Sequence, residues 1–285
     1  MDVGVIAYAL AGLATIVFAT AIYVIGQAAV AIHYKVKVKE ISLGTGPLLW
    51  QTRLRSIPFS FRPLPGGYTS YFDEDDELEV QCSEPEPEFD PDRVRFKDMN
   101  PLGKLFLLLI GPISSLVLGV LLLGAPIWAG APGLVAVGPA ESTIQPCSVG
   151  GLIVLADPVD WQTQEQLFVD TAGELGVRVL LFRSTEDWGG PLSLLLTSGF
   201  VAHQTPWGWC TLLGVMLVGI GFLNLLPVPT LNGFYMLCLL YDVLAGKPLS
   251  ENAIAAAMWI GLLFMVVIWI RLLYIDLRWI WNFVL

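Results

Sequence analysis

The stretch from Asn224 to Gly233 is the part of the chain whose residue types and spacing point most directly to chemistry. It reads Asn-Leu-Leu-Pro-Val-Pro-Thr-Leu-Asn-Gly, and it lies between the long apolar runs 207–223 and 234–244. Its two prolines and its Asn-Gly pair interrupt any helix that tries to pass through them. Irregular backbone between membrane-type apolar runs needs hydrogen-bond partners from neighbouring protein or from a water-filled cavity. We therefore expect another part of the chain to pack against this stretch.

Residues that could bind a metal are few and widely spaced. The chain has two histidines, His33 and His203, which are too far apart in the predicted arrangement to share a metal. The four cysteines form neither a disulfide framework nor a CxxC metal pair; they are Cys82, Cys147, Cys210 and Cys238.

The sequence offers no strong candidate for a catalytic serine or for a catalytic pair of carboxylates. Ser114 and Ser115 have no Lys or His placed to activate a hydroxyl, and small residues in an apolar helix are typical of close helix packing. Asp157, Asp160 and Glu165 resemble paired carboxylates, but a solvated surface is the better interpretation.

The composition indicates a membrane protein. Of the 285 residues, 55% are hydrophobic and 14% are charged, whereas soluble domains carry about 25% charged residues. The net charge of -10 lies mainly between Asp73 and Asp98, where 12 acids face three bases. No basic patch is large enough to neutralise a phosphate backbone, so we expect no nucleic-acid partner.

Four apolar segments are long enough to cross a bilayer, which takes about 20 residues. The fold class we predict is membrane α-helical, with about four transmembrane helices, a membrane-surface β-element and a small α+β module outside the membrane. The segments in order are a first helix (3–33), the β-element (34–72), an acidic loop (73–98), a second helix (101–130), the module (131–198), a third, broken segment (205–245) and a fourth helix with an aromatic tail (252–285).

The β-element and the module are predicted from changes in the spacing of apolar residues along the chain. The alternation of apolar and polar residues through Val36, Val38 and Ile41 predicts one strand. The stretch 53–61 predicts a second strand, and 65–68 predicts a tight turn. In the module, the apolar runs 134–137, 152–156 and 177–183 predict strands, and the stretch near 162–171 predicts a helix.

Basic residues predict the orientation. Ten of the fifteen Lys and Arg lie between Lys35 and Lys104, and only Arg178 and Arg183 lie in the next connection. The positive-inside rule places the first connection in the cytoplasm and the module outside. The loop around Lys247 is then cytoplasmic, and we expect a multi-pass protein of the bacterial cytoplasmic membrane.

Several motifs in this order resemble the site-2 protease family of intramembrane zinc metalloproteases. The stretch 224–233 is similar to the family's NxxPxPxLDG motif. Further matches are Gly44-Thr45-Gly46 after a strand, the Pro-Gly-Gly-Tyr of 65–68, and Gly111-Pro112 in the second helix. The resemblance covers nearly the whole chain and implies that the module occupies the place of a PDZ domain, here shortened and degenerate.

In that family the first helix carries HExxH, whose two His bind zinc and whose Glu is the general base, and the Asp of LDG is the third ligand. Aligned on the strand that follows, the HExxH positions fall on Tyr23, Val24 and Gln27, and the LDG position falls on Asn232. Phenol, amide and aliphatic groups are poor zinc ligands and poor bases. The sequence therefore predicts no intact catalytic residue, no metal and no cofactor.

The resemblance also implies a groove for a substrate or partner, and we expect Gln27 and Asn232, with Tyr23 as an optional third partner, to hydrogen-bond where zinc would lie. The alternative is that these side chains meet water. The groove residues expected are Asn224, Pro227, Pro229, Gly233, Pro65, Gly66, Gly67 and Tyr68.

The resulting prediction is a non-proteolytic homologue, not an enzyme, that binds or regulates transmembrane or membrane-associated proteins. The alternative is an active zinc-dependent intramembrane metalloendopeptidase with an atypical site. A carrier or channel is disfavoured, since Arg271 is the one clear charge within a span.

Overall fold

The computed structural model describes most of the chain, with gaps in the acidic loop and in the module. The described residues are 3–54, 57–71, 94, 96–129, 134–136, 152–154, 162, 166, 207–229 and 231–283. The acidic loop 73–98 is described only at 94 and 96–98, and the predicted strand 177–183 and helix near 162–171 lie outside the described residues apart from 162 and 166.

The elements with described bounds are five α-helices, a short 3-10 helix (Phe96–Asp98) and six strands. The helices are α1 (Val3–His33), α2 (Pro101–Trp128), α3 (Gly208–Leu225), α4 (Asn232–Ala245) and α5 (Glu251–Phe283). The strands are β1 (Val38–Thr45), β2 (Trp50–Leu54), β3 (Ile57–Phe61), β4 (Leu64–Tyr71), β5 (Leu134–Ala136) and β6 (Leu152–Val154).

Four helices are long and apolar enough to cross a membrane, namely α1, α2, α3 and α5. Their candidate spans are Leu10–His33, Pro101–Pro126, Gly208–Leu225 and Asn252–Arg278. This confirms the prediction of an integral membrane protein with about four spans. The third predicted segment consists of two helices, since α3 and the shorter α4 are separated by the proline-containing break.

The four-stranded sheet has the order β2-β3-β1-β4. β1 pairs parallel with β3 and antiparallel with β4, and β2 pairs antiparallel with β3. The predicted strand 53–61 is confirmed at 57–61, which is β3, but its bounds are wrong, because 53–54 belong to β2 and β2 pairs with β3. The predicted turn at 65–68 is also wrong, since those residues lie inside β4, paired with β1.

The chain forms two compact units. One comprises Met1–Thr15, Leu118–Met216 and Trp259–Leu285, and the other comprises Ile16–Val117 and Leu217–Met258. In the first unit, β5 and β6 pair antiparallel, which fits two of the strands predicted for the module.

The second unit contains the sheet and the candidate site. Its core joins one face of α1 to the sheet and to α2; the buried members are Tyr23, Val24, Ala28, Ala31, Val36, Val38, Ile41, Ile57 and Leu107. Gly67 of β4 lies so close to α1 that a Cβ there would be 2.7 Å from Val24 and 2.9 Å from Thr20. The sheet thus packs against the middle of a candidate membrane span.

Candidate functional site

The break between α3 and α4 positions the first turn of α4. The main-chain N–H of Leu226 donates to the carbonyl of Leu223, and that of Leu231 donates to the carbonyl of Val228. Each hydrogen bond forms a short turn. A Cβ at Gly233 would collide with the carbonyl oxygens of the last residue of α3 and of the residue after it. Only glycine fits there, so the Asn-Gly pair lets α4 begin directly against the end of α3.

Asn232, the first residue of α4, connects three helices. Its side-chain Nδ2 donates to the hydroxyl of Tyr23 on α1 at 2.9 Å and to the carbonyl of Leu108 on α2 at 2.9 Å. A carbonyl oxygen can only accept, so the atom that faces Leu108 must be the amide nitrogen. Both amide protons are used, one on each neighbouring helix.

Tyr23 is held by packing as well as by this hydrogen bond. It is 4% exposed, and a Cβ at Gly111 of α2 would lie 2.8 Å from its ring. Gly111 therefore leaves the space that the phenol occupies, which gives a physical reason for a glycine at this position.

Gln27 lies one turn beyond Tyr23 on α1 and is 5% exposed. Residues four apart on a helix share a face, so the predicted common face of these two side chains is present. The expected hydrogen bond between Gln27 and Asn232 is not found among the described contacts, and Asn232 pairs with Tyr23 instead.

These side chains line a cavity of about 350 Å³ within the second unit. Its walls come from α1, β4, α2 and the two ends of the break. The lining residues are Tyr23, Gln27, Gly67, Tyr68, Thr69, Phe96, Leu108, Asn224, Asn232 and Tyr235.

The other predicted site residues are not among the lining residues. Val24 is buried in the core of the second unit. Pro227, Pro229 and Gly233 belong to the break and the start of α4. Pro65 and Gly66 lie in β4.

Four lining residues were missed by sequence reasoning: Thr69, Phe96, Leu108 and Tyr235. Leu108 contributes a main-chain carbonyl, which carries no residue-type signal of its own. A proline in the middle of an apolar helix, four residues further on, was the signal that could have found it.

The cavity is polar but uncharged. None of its ten described lining residues is an acid, a base or a histidine. The Asn224 amide donates to Ile220 in its own helix at 2.9 Å, and the Tyr235 hydroxyl donates to the sulfur of Met258 at 3.8 Å. Such a site can orient amides and carbonyls by hydrogen bonds.

Arg62, which follows β3, forms an ion pair with Glu40 of β1 at 3.1 Å. Glu40 also accepts a hydrogen bond from Ser60, and the hydrogen bond from Arg62 to this carboxylate raises the pKa of Arg62. The pair lies outside the cavity lining.

Comparison with known proteins identifies the family. The sequence model of "Peptidase family M50" matches residues 10–268. The chain belongs to this family, the site-2 protease family. The resemblance seen in the motifs is thereby confirmed.

Curated relatives match shorter parts of the chain. A Xylella fastidiosa protein named "Putative zinc metalloprotease" is 26% identical over 110 residues, 39% of this chain. A Rickettsia conorii protein named "Putative zinc metalloprotease RC0203" is 29% identical over 89 residues, 30% of this chain. A Staphylococcus aureus protein named "Putative zinc metalloprotease SA1105" is 36% identical over 64 residues, 22% of this chain. The chain covers only 25%, 25% and 15% of the lengths of these relatives.

Two predictions are wrong in the light of these matches. The prediction that the chain is not an enzyme is contradicted by its membership in a peptidase family and by the names of its relatives. The prediction of no cofactor is contradicted by the same names, which point to zinc. Both predictions judged zinc binding and catalysis from four aligned positions alone, namely Tyr23, Val24, Gln27 and Asn232, and did not test the other possible metal ligands of the chain. His203 and most of the acids of 73–98 lie outside the described residues.

The side chains gathered at this cavity do not themselves fit a zinc ion. Zinc in proteins is bound by thiolate, imidazole or carboxylate, and the cavity offers phenols, amides and a hydroxyl. The amide nitrogen of Asn232 is already committed to Tyr23 and Leu108. These side chains are therefore not suited to bind zinc.

Proposed function

We propose that this chain binds an unwound segment of another membrane protein in the cavity, as the substrate-binding step of a site-2 protease family member. The observation that carries the proposal is that β4, an edge strand of the described sheet, forms one wall of a polar cavity beside the middle of α1.

An edge strand has main-chain N–H and C=O groups on its outer side. An extended peptide can pair with such an edge, and its main-chain hydrogen bonds then provide affinity while side-chain pockets provide specificity. Gly67 and Tyr68 of β4 line the same cavity as Tyr23 and Asn232, so a peptide that pairs with this edge would lie beside those two side chains.

The surroundings favour a ligand from within the membrane. α1, α2 and α3 are candidate spans, and an unwound backbone at that depth needs hydrogen-bond partners that lipid cannot supply. The amides and hydroxyls of the cavity are such partners. A helix with a polar or proline-containing break fits this chemistry better than a continuous apolar helix.

Peptide-bond hydrolysis is the reaction that the family and the relatives' names indicate. The role that the described residues can perform by their own chemistry is to bind and orient the segment. None of the ten described lining residues is a carboxylate or a histidine, so the described lining itself supplies no strong general base.

We also propose the placement of the chain in a bacterial cytoplasmic membrane, with 34–100 in the cytoplasm and the 131–198 module outside. The distribution of basic residues supports this placement, since ten of fifteen lie between Lys35 and Lys104. The position of the module between the second and third spans supports its interpretation as a shortened PDZ-like domain.

Photo-crosslinking tests the binding proposal. A photoreactive amino acid replaces Tyr68, which lines the cavity and is 37% exposed. A matched control replaces Tyr241, which is 40% exposed on α4 and lies outside the lining. The probe is a synthetic membrane peptide of about 20 residues with a central Asn-Pro-Gly break, compared in phosphatidylcholine vesicles with an unbroken Leu/Ala peptide.

We expect the broken peptide to crosslink at position 68 several times more than at position 241, and more than the unbroken peptide does. Equal yields at the two positions would overturn the binding proposal. Mass spectrometry of the same samples, with zinc in the buffer, tests hydrolysis. Products cut within the break support it, and an intact peptide at full crosslinking yield overturns it.

A further inference from the structure

Pro112 leaves one main-chain carbonyl of α2 without its helical partner. In an α-helix the carbonyl of residue i accepts from the N–H of residue i+4. The residue four positions after Leu108 is Pro112, which has no N–H. The break in the hydrogen-bond ladder falls inside the candidate span Pro101–Pro126, where an unsatisfied carbonyl is costly.

Asn232 supplies the missing donor. Its amide nitrogen is 2.9 Å from the Leu108 carbonyl oxygen, a normal hydrogen-bond distance. Leu108 is 8% exposed, so this donor comes from a neighbouring helix in place of bulk water. The side chain at the start of α4 thus completes the hydrogen bonding of α2.

The same contact fixes the direction of the hydrogen bond at Tyr23. One Nδ2 proton points to Leu108, and the other points to the Tyr23 oxygen at 2.9 Å. The Tyr23 oxygen therefore accepts, and its own proton remains available to donate. Tyr23 lines the cavity, and a hydroxyl that accepts a hydrogen bond becomes a stronger donor.

We propose that Asn232 is a positioning residue: it satisfies the carbonyl that Pro112 leaves open and thereby sets the Tyr23 hydroxyl to donate to a carbonyl oxygen of the bound segment. The first half stands on the contacts within this chain alone. The second half rests on the proposed binding function. Asparagine suits both halves, because a carboxylate would have no proton for either acceptor.

A double-mutant cycle tests the first half without any ligand. In the full chain in mixed micelles, SDS titration measures the unfolding equilibrium of Asn232→Ala, Pro112→Ala and the double variant. We expect Asn232→Ala to lower the folding equilibrium constant about tenfold in the native background, the effect of leaving a buried acceptor unpaired. In the Pro112→Ala background the new N–H at 112 can satisfy Leu108, and the loss should fall to about threefold or less.

The control cycle uses Asn224→Ala, whose amide bonds to Ile220 in its own helix. This change should combine additively with Pro112→Ala. Equal losses from Asn232→Ala in the two backgrounds would overturn the role assigned to Asn232. Where Pro112→Ala is poorly folded, Pro112→Ser supplies the same N–H and serves in its place.

Infrared spectroscopy tests the second half with the broken peptide described above, carrying a ¹³C=¹⁸O carbonyl at its break. Binding to the native chain should move the labelled carbonyl band to lower wavenumber. Tyr23→Phe should abolish that movement while crosslinking at position 68 persists. The same movement with Tyr23→Phe would overturn the donor role. Absence of crosslinking in both chains would instead count against the binding function, and the cycle would still decide the role of Asn232.

Discussion

At the scale of single residues, the site depends on the number of protons that one side chain can donate. Asn232 meets two acceptors, the Leu108 carbonyl and the Tyr23 hydroxyl. An ionised carboxylate at the same position has no proton and faces the carbonyl oxygen with like partial charge. The family's characteristic LDG and the Leu-Asn-Gly of this chain therefore require different surroundings.

We predict that Asn232→Asp lowers the free energy of unfolding by about 2 kcal/mol, the cost of an unpaired buried acceptor. SDS titration in mixed micelles at neutral pH measures the change. The matched control is Asn224→Asp, which alters an amide that bonds within its own helix and should cost about 1 kcal/mol or less. A larger loss for the Asn224 variant than for the Asn232 variant would contradict the prediction.

Helical spacing placed Tyr23 and Gln27 on one face of α1, and the family resemblance placed Asn232 opposite them. The prediction paired Gln27 with Asn232 and named Tyr23 as an optional third partner, whereas Asn232 donates to Tyr23. Which of two polar side chains on one face makes a contact depends on the depth at which helices cross. Here Gly111 leaves room for the Tyr23 ring, because a Cβ at that position would lie 2.8 Å from it.

At the scale of helices and strands, glycines decide how closely elements approach. Gly66 and Gly67 predicted a turn from their composition, yet they lie in β4, where Gly67 contacts α1. The two uses of glycine look alike in a sequence, because both require a missing side chain. The four spans were predictable because length and hydropathy alone decide them.

We predict that Gly111→Ala lowers the free energy of unfolding by about 1–3 kcal/mol, the usual cost of overpacking. Its Cβ would lie 2.8 Å from the Tyr23 ring and would push α1 from α2. Gly219→Ala on α3 is the control, because a Cβ there meets nothing within 4 Å. It should be neutral or stabilising by up to about 1 kcal/mol, as Ala favours a helix over Gly. Equal destabilisation of both variants in SDS titration would show that the effect is not due to contact with Tyr23.

At the scale of the whole molecule, burial differs sharply among the candidate spans. The most apolar windows of α1, α2 and α3 are 39%, 33% and 33% buried, whereas that of α5 is 6% buried. Lipid and leucine are equally apolar, so an exposed span costs little in a bilayer. The sequence could not predict this difference, because all four spans are similarly hydrophobic.

We predict that the free energy lost when a leucine is replaced by alanine depends on the burial of that leucine and not on the hydropathy of its helix. Leu217→Ala on α3, where Leu217 is 0% exposed, should cost about 2–5 kcal/mol through the cavity it leaves. Leu263→Ala on α5, where Leu263 is 66% exposed, should change the free energy of unfolding by about 0.5 kcal/mol or less. The same titration measures both, and a loss for Leu263→Ala as large as for Leu217→Ala would contradict the assignment of its side chain to lipid.

The proposed orientation makes a final prediction for the chain in a membrane. Each reporter is a single cysteine in a chain otherwise free of cysteine: the native Cys147 of the module, Leu49→Cys before β2, and Ser250→Cys before α5. A membrane-impermeant maleimide added to intact spheroplasts should label Cys147 alone. The other two should react only after lysis, because the positive-inside rule places both the basic first connection and the loop at Lys247 in the cytoplasm.

Labelling of the Leu49→Cys and Ser250→Cys variants, with protection of Cys147, would reverse the orientation. Labelling of only one of those two variants would mean that the broken segment formed by α3 and α4 crosses the membrane differently from a single span.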